Sequence, residues 1–229
     1  MQIRFLGHAA FEIADGSARI LIDPFLKPDN PAAVVGADEV EPTHILLTHG
    51  HADHMAHVVE VAKRTGATCV AIVELARWLS AQGIDDVADP NLGGTVELEW
   101  GWVKLVPAFH TNTLPDGQVI GLAAGVVIGM GGTTVYHLGD TSLFGDLSLV
   151  AERTPINVAL IPIGGHYTMD QDDAVTAAEL LDADTVIPMH YDTFPPIEAD
   201  PERFKSGVEA SPRTSSEVVI LAPGETYTP

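Results

Sequence analysis

The chain has a single cysteine, Cys69, among its 229 residues. One thiol cannot form an intramolecular disulfide, and it cannot build the thiolate cluster that many structural metal sites use. Any metal ion bound by this chain must therefore be held by histidine and carboxylate side chains.

Positive charge is also scarce, because only 11 Lys and Arg residues face 32 Asp and Glu residues, for a formal net charge of −21. A surface of that sign repels polyanions, so long nucleic acids are disfavoured partners. Two bound divalent cations would reverse the sign within one pocket and attract a small anion. We therefore expect a small-molecule substrate, anionic in character.

Long hydrophobic runs are absent, since Asp, Glu, Arg or a Gly/Pro cluster interrupts each apolar stretch before the roughly 18 to 20 residues that cross a bilayer. The amino-terminal sequence MQIRFLGH lacks the apolar segment and the cleavage site of a secretory signal. We therefore expect a cytoplasmic protein with no membrane partner. Composition leaves the oligomeric state open, and a homo-oligomer is compatible with it.

Short apolar or alternating runs recur along the chain and predict β-strands throughout its length. Turns at Asp15-Gly16, Gly101 and Gly131-Gly132 separate neighbouring runs and predict antiparallel hairpins, because glycine accepts positive φ. Hairpins that alternate with helices indicate an α/β (α+β) fold with two mixed sheets flanked by helices. We expect one domain over residues 1–229.

Helices are predicted over roughly 54–65, 74–82 and 171–182, the last with acidic residues in its first turn that suit the helix dipole. The segment 192–216 is rich in Pro, Glu, Asp and Ser, which predicts a surface loop before a last strand near 217–222. Such a loop would suit a lid or an oligomer contact.

The strongest feature is the run His49-Gly50-His51-Ala52-Asp53-His54, directly after the apolar segment HILLT. Imidazole nitrogens and carboxylate oxygens suit Zn, Mn, Fe or Co. The small Gly50 and Ala52 let the backbone turn so that alternate side chains converge. One ion cannot comfortably take all four ligands, which predicts His49 and His51 on one metal and Asp53 and His54 on a second.

Further ligands are predicted at the ends of apolar runs, where a buried scaffold holds a side chain rigidly. His110 follows VKLVPAF, Asp140 follows TTVYHLG, and His190 follows TVIPM. A carboxylate can bridge two cations and offset their repulsion, which makes Asp140 the natural shared ligand. His110 and His190 would then complete separate metals.

The His-x-His-x-Asp-His signature, followed by a distant His, an Asp in a Gly-Asp-Thr setting and a final His, resembles the metallo-β-lactamase superfamily. The resemblance is closer to the UPF0173 group of predicted metal-dependent hydrolases, through FLGHAAF at 5–11, ILIDPF at 20–25, NLGGT at 91–95, YHLGDTSLFGD at 136–146, PIGGHYTM at 162–169 and PMHYDTFP at 188–195.

This resemblance implies a metallo-β-lactamase-like αββα sandwich with a dinuclear site at one edge. It assigns the ligands as His49, His51 and His110 on one metal, Asp53, His54 and His190 on the other, and Asp140 bridging them. Zn or Mn is the expected pair of ions, and Fe, Co and Ni suit the same ligands.

Four further residues have predicted roles around the metals. Asp23 either hydrogen-bonds a ligand imidazole or forms a turn before Pro24. His8 and His166 either bind substrate and donate a proton or serve the structure alone. Tyr167 lies in a loop that would shape the substrate mouth. Asp53 is expected to exchange a proton during catalysis as well as bind metal.

These residues together predict a hydrolase in which a hydroxide shared by two metals attacks a small ester. A phosphoester leads, of the phosphodiesterase or phosphatase type, because paired cations suit an anionic ester. The alternative is a lactonase acting on a small lactone, sugar-phosphate lactones included. A non-hydrolytic metal-binding or redox protein is a more distant alternative.

Overall fold

The computed structural model describes every residue from Met1 to Pro229 and contains two seven-stranded β-sheets. The strands are β1 Gln2–Gly7, β2 Ala10–Asp15, β3 Ala18–Ile22, β4 His44–Leu46, β5 Thr68–Val70, β6 Val87–Ala88, β7 Thr95–Leu98, β8 Gly101–Pro107, β9 Ala124–Met130, β10 Thr133–His137, β11 Val158–Pro162, β12 Thr185–Met189, β13 Glu217–Val218 and β14 Thr226–Tyr227. The α-helices are α1 Ala52–Met55, α2 Val58–Thr65, α3 Val73–Ala81, α4 Leu147–Arg153, α5 Gln171–Leu181 and α6 Pro201–Ala210, and Pro195–Ile197 forms one 3-10 turn.

Both sheets combine an antiparallel half with a parallel half. The first has the order β14-β1-β2-β3-β4-β5-β6, antiparallel up to β3 and parallel from β3 onward. The second has the order β13-β12-β11-β10-β9-β8-β7, parallel from β13 to β10 and antiparallel from β10 to β7. The hairpins predicted at Asp15-Gly16, Gly101 and Gly131-Gly132 are present, which confirms the two mixed sheets.

The interior of the second sheet is buried on both faces, as β11 illustrates. Val158 and Leu160 belong to the larger core cluster, which lies between the two sheets and reaches α2 and α3. Ala159 and Ile161 belong to a second cluster under α5 and α6. Side chains along a strand alternate between its faces, so this division gives the layer order helix, sheet, sheet, helix that was predicted.

The prediction of a loop over 192–216 is wrong, because α6 lies within it. The Asp200 side chain accepts hydrogen bonds from the backbone N–H groups of Glu202 and Arg203, and Pro201 occupies the first helical turn. Phe204 and Val208, four residues apart, bury one face. Asp followed by Pro, and then by apolar residues at helical spacing, predicts a helix. The loop-like composition of residues 192–216 obscured this pattern.

The other predicted helices have revised bounds. The helix expected over 54–65 is two helices, α1 and α2, and α4 was not predicted at all. The predicted helix over 171–182 corresponds to α5, which Asp170 caps by accepting hydrogen bonds from two backbone N–H groups. No helix in the structure is both long enough and apolar enough to span a bilayer.

Candidate metal centre

The predicted site residues all follow strands that run in the same direction within their sheets. In the first sheet, three of these residues come directly after β1, β3 and β4: His8, Asp23 and His49. In the second sheet, three come after β8, β10 and β12: His110, Asp140 and His190. Asp53 and His54 lie in α1, which follows the loop after β4. The carboxyl ends of parallel strands lie at one edge of a sheet. The polar side chains of both sheets therefore lie at a common edge of the sandwich, called the rim below.

Unusual backbone conformations turn the chain at this rim. His8, Asp23 and His190 have φ values of 62°, 45° and 56°, and they account for three of the five non-glycine residues with positive φ. This left-handed region is sparsely populated by residues that carry a Cβ, and it costs free energy that the surroundings must offset. Each of the three side chains is buried at the site.

The loop that bears the signature is held from both sides. Thr48 donates to Asp23 through its backbone N–H at 2.9 Å and through its hydroxyl at 2.6 Å. The backbone N–H of Gly50 donates to Asn112 Oδ1 at 2.8 Å, and a Cβ at Gly50 would lie only 3.1 Å from Ile120. Glycine therefore eases the close approach of this loop to the segment that carries Asn112, since a larger residue would have to displace neighbouring side chains by a few tenths of an ångström.

The first candidate metal group consists of His49, His51 and His110. The nitrogens His49 Nε2 and His110 Nε2 lie 2.9 Å and 3.3 Å from His51 Nδ1. Burial lowers the pKa of all three imidazoles, and that of His49 falls well below its usual value. Burial therefore favours the neutral form, whose free lone pair binds metals.

The second candidate group consists of His8, Asp53, His54 and His190, of which the family resemblance assigns the last three as ligands. His190 Nε2 lies 4.0 Å from Asp53 Oδ2, and His8 Nε2 lies 3.2 Å from the same oxygen. The side chain of His54 is completely buried, and its Nδ1 donates to Asp23 Oδ2 at 2.8 Å. That hydrogen bond turns Nε2 of His54 toward the site.

Asp140 lies between the two groups. Its Oδ2 atom is 3.1 Å from His190 Nε2 and 3.5 Å from His110 Nε2, while its Oδ1 atom is 3.3 Å from His54 Nε2. Burial by itself would raise the pKa of Asp140, but His190 and His54 outweigh burial and hold that pKa well below its usual range. The shared carboxylate is thus charged and faces both candidate metal groups.

The polar atoms of this site have the hydrogen-bonding state and the chemistry expected of metal ligands. His54 Nε2, His190 Nε2 and Asp140 Oδ1 are buried without a hydrogen-bond partner. A buried polar atom left unsatisfied costs about 1–3 kcal/mol, so three that converge require a ligand to compensate them. Imidazole nitrogens and carboxylate oxygens are the donors that divalent transition metals take.

A cavity of about 640 Å³ opens beside these groups. His51, Asp53, His110 and Asp140 line its floor, and its walls include Phe25, Thr111, Tyr167, Phe194 and Pro196. Tyr167, predicted to shape the substrate mouth, lines the cavity and is 57% exposed. His166 is exposed and does not line the cavity; its ring meets that of Tyr167 edge-on at 4.6 Å.

His8 lies behind the cavity floor and does not line it. Its Nδ1 atom is 2.9 Å from Thr193 Oγ1, and its backbone carbonyl accepts a hydrogen bond from the backbone N–H of His190 at 2.8 Å. Both alternatives predicted for Asp23 are present: its side chain accepts a hydrogen bond from the candidate ligand His54, and its backbone carbonyl accepts from the backbone N–H of Phe25 at 2.7 Å in a turn around Pro24.

Several contact residues were missed from the sequence. Thr193 and Asn112 secure His8 and Gly50, and Phe25 and Phe194 form the apolar wall. Thr193 is separated from His8 by 185 positions, so no local pattern joins them. The ILIDPF and PMHYDTFP motifs, which carry both phenylalanines, are the only signal that pointed to these segments.

Comparison with known proteins identifies the family of this chain. Residues 2–190 match the Beta-lactamase superfamily domain. A UPF0173 metal-dependent hydrolase of Methanopyrus kandleri is 47% identical over 230 residues, which cover 99% of each chain. A UPF0173 metal-dependent hydrolase of Thermus thermophilus is 44% identical and covers 96% of this chain and 99% of its own.

A solved structure, that of a metallo hydrolase from the archaeon Ignicoccus hospitalis, superimposes with a TM-score of 0.89 at 36% identity and covers 99% of this chain and 97% of its own. Fold and ligand set together define a metal-dependent hydrolase of the metallo-β-lactamase superfamily. Within that class, the chain belongs to the UPF0173 family.

Proposed function

We propose that this protein is a dinuclear metal-dependent hydrolase that acts on a small phosphodiester. One observation carries the proposal: two groups of metal-ligating side chains face a single buried carboxylate, Asp140, on the floor of a cavity. In this proposal His49, His51 and His110 hold one cation, Asp53, His54 and His190 hold the other, and Asp140 is shared.

The cations that the donor set favours are Zn and Mn, although Fe, Co and Ni use the same ligand types. When bound, two divalent cations lower the pKa of a shared water toward neutrality and act as Lewis acids toward an ester oxygen. Ligands come from both sheets, which supports the proposal that residues 1–229 act as one domain.

Asp53 is the residue proposed to accept the proton of the attacking water. Burial favours protonation of this carboxyl, but the hydrogen bond from His8 and the nearby His54 outweigh burial and hold its pKa well below the usual range. Asp53 is therefore an ionised carboxylate at the cavity floor. The His8 contact occupies Oδ2, which leaves Oδ1 to accept a hydrogen bond from the attacking water. Because a lowered pKa makes the carboxylate a weak base, Asp53 would hold the proton only in passing before it reaches the leaving group or solvent.

His8 is proposed to orient Asp53. Burial, aided by His190, lowers the pKa of His8 to about 4, so the ring is neutral near pH 7. A neutral ring has one N–H, and Asp53 can only accept, so Nε2 carries the hydrogen while Nδ1 accepts from the Thr193 hydroxyl. His166 is proposed, with Tyr167, to contact substrate at the cavity mouth.

The charge of the cavity favours a diester over a monoester. No Lys or Arg side chain lines it, so the second negative charge of a phosphomonoester would meet no cationic side chain. A phosphodiester carries one negative charge, which two cations balance. A lactone is the second candidate, because a neutral ring with an apolar substituent suits a wall that contains Phe25 and Phe194.

The proposal is tested on metal-reconstituted protein. Metal content is measured by elemental mass spectrometry, and hydrolysis is followed with bis-p-nitrophenyl phosphate, p-nitrophenyl phosphate and a simple lactone. We expect two ions per chain and the highest kcat/KM for the diester, with both lost in Asp140→Ala and activity lost in His51→Ala. Hydrolysis of the lactone alone would replace the diesterase with a lactonase, and bound metal without ester cleavage would overturn the hydrolase.

A further inference from the structure

The cavity beside the candidate metal centre has two unlike sides. The floor carries the candidate ligands His51, Asp53, His110 and Asp140, whereas Phe25 and Phe194 stand in the wall with their ring centroids 6.2 Å apart. Phe25 is almost completely buried, so this wall is a fixed surface. A substrate whose ester lies on the floor therefore has an apolar body against the wall.

One acidic side chain, Asp29, also lines this cavity. Among the lining residues it is the only one charged near neutral pH that is not a candidate metal ligand. Its side chain is 64% exposed, which puts the carboxylate at the open side of the cavity. The nearby Lys27 does not pair with it, because Lys27 Nζ donates to the backbone carbonyl of Val34 at 3.0 Å.

Asp29 lies beside a buried histidine, His57, that makes no hydrogen bond to either candidate metal group. The backbone N–H of Leu26 donates to His57 Nδ1 at 3.1 Å, so the hydrogen of a neutral His57 is on Nε2. That Nε2 atom lies 3.5 Å from Asp29 Oδ2. This distance is at the limit of a hydrogen bond, so His57 is a polar neighbour of the exposed carboxylate and not an anchor for it.

The segment that carries Asp29 is tied down by its neighbour. The side chain of Asn30 is buried and donates to the backbone carbonyl of Phe25 at 2.8 Å, and its Oδ1 atom accepts from the backbone N–H of Ala32 at 2.9 Å. One side-chain amide therefore fixes Phe25 and Asp29 relative to each other. The backbone of Asp29 is therefore set beside the apolar wall, and its exposed carboxylate lies at the open side of the cavity.

We propose that Asp29 is a specificity-determining residue: it rejects substrates with a negative charge on the part that extends past the phenylalanine wall, and it favours an apolar body that ends in a neutral or cationic group. This inference rests on the proposed function for the identity of the ester that reacts. It concerns a different part of the substrate, the substituent that extends past the phenylalanine wall. The Asp29 carboxylate is largely exposed, so water screens it and its effect on a charged substituent at the cavity mouth is a few-fold in rate or affinity.

The test compares three aryl p-nitrophenyl phosphodiesters whose aryl group carries hydrogen, carboxylate or aminomethyl at the para position. For the unchanged protein loaded with metal, we expect kcat/KM to be lowest for the carboxylate. In Asp29→Asn, we expect the carboxylate substrate to gain about 3- to 5-fold, the aminomethyl substrate to lose a similar factor, and the unsubstituted substrate to stay within about 1.5-fold.

Binding without turnover gives an independent measurement. Titration calorimetry with the monomethyl esters of benzylphosphonate and 4-carboxybenzylphosphonate should show the same preference, and Asp29→Asn should reduce it. The matched control is Asp85→Asn, an exposed aspartate before β6 at the opposite edge of the sheet, which should change neither ratio.

Equal ratios in Asp29→Asn and the unchanged protein, in both rate and binding, would overturn the role of Asp29. Failure of all three diesters to react, with the binding preference intact, would overturn the phosphodiesterase and leave the charge selection standing. A carboxylate preference in the unchanged protein would contradict the inference directly.

Discussion

The two candidate metal groups differ in how firmly the protein holds them. In the buried group of Asp53, His54 and His190, the two histidines are at most 1% exposed and Asp53 is partly exposed, and Asp23 and His8 contact its members from behind. In the group of His49, His51 and His110, His49 is fully buried against the Thr48 hydroxyl, while His51 and His110 are partly exposed and have no carboxylate behind them. Contacts behind the ligands orient them and strengthen metal binding, so the buried group should bind its ion more tightly.

Substitution of the carboxylate shared by the two groups should have the largest effect. Asp140→Asn keeps the size of the side chain but removes its charge and one of its acceptors. We expect loss of at least one metal ion and a decrease in kcat/KM of about 1000-fold, since electrostatic stabilisation of several kcal/mol is lost. Metal analysis and diester hydrolysis measure both; full activity with two bound ions would contradict the shared role.

Removal of the Asp23 contact behind His54 should affect the two candidate metal groups differently. Asp23→Asn removes the charge that accepts from His54 and Thr48. We expect affinity for the second ion to fall about 10- to 100-fold, with a smaller change for the first. Competition with a fluorescent chelator measures both affinities. Asp85→Asn is the control, and an equal decrease for both ions would show that Asp23 supports the whole rim.

Substitution of His8 shows whether this residue binds metal together with Asp53, His54 and His190. His8→Gln keeps a side-chain donor, while His8→Ala removes it. We expect kcat to decrease about 10- to 100-fold in His8→Ala, with KM and metal content unchanged and partial recovery in His8→Gln. Loss of one ion in His8→Ala would instead make His8 a metal ligand, as its place beside Asp53, His54 and His190 permits.

Release of metal to a chelator should occur in two phases. The group containing His51 and His110 is partly exposed, so we expect its ion to leave first, and the ion at the buried group to leave more slowly. Metal content measured at intervals during dialysis follows both phases. His51→Ala should remove the fast phase alone; a single phase in the unchanged protein would contradict the difference between the groups.

The smallest expected effect concerns Cys69, whose reactivity reports whether the fold around the metal groups is intact. Burial raises the pKa of its thiol from 9.0 to about 12, so at pH 8 the folded protein holds it as an unreactive thiol. We expect almost no reaction with a thiol reagent until the chain unfolds. Above pH 9 the unfolded state loses this proton first, so rising pH should destabilise the folded protein. Rapid labelling of any ligand variant would indicate a disturbed scaffold.

The predicted architecture followed from features that neighbouring residues share. Glycine turns and alternating runs predicted the hairpins, because both are properties of a few consecutive residues. The helix α6 was missed since the acidic and proline-rich composition of 192–216 outweighed its Asp200-Pro201 start. The short strands β6 and β14 carry too few residues for a period to show, and pairing with neighbouring strands alone defines them. The last strand predicted near 217–222 is present as β13, which is shorter than predicted.

The candidate ligands could be identified from the sequence because chemistry and spacing both concentrate there: four donors lie within six residues after a buried strand, and each further donor ends an apolar run. Tertiary structure alone decided which side chains support them. His8 meets Asp53 across 45 positions and Thr193 across 185, and Asp29 meets His57 on another element. Such contacts depend on how two sheets and their loops pack, and packing brings together residues that no local pattern relates.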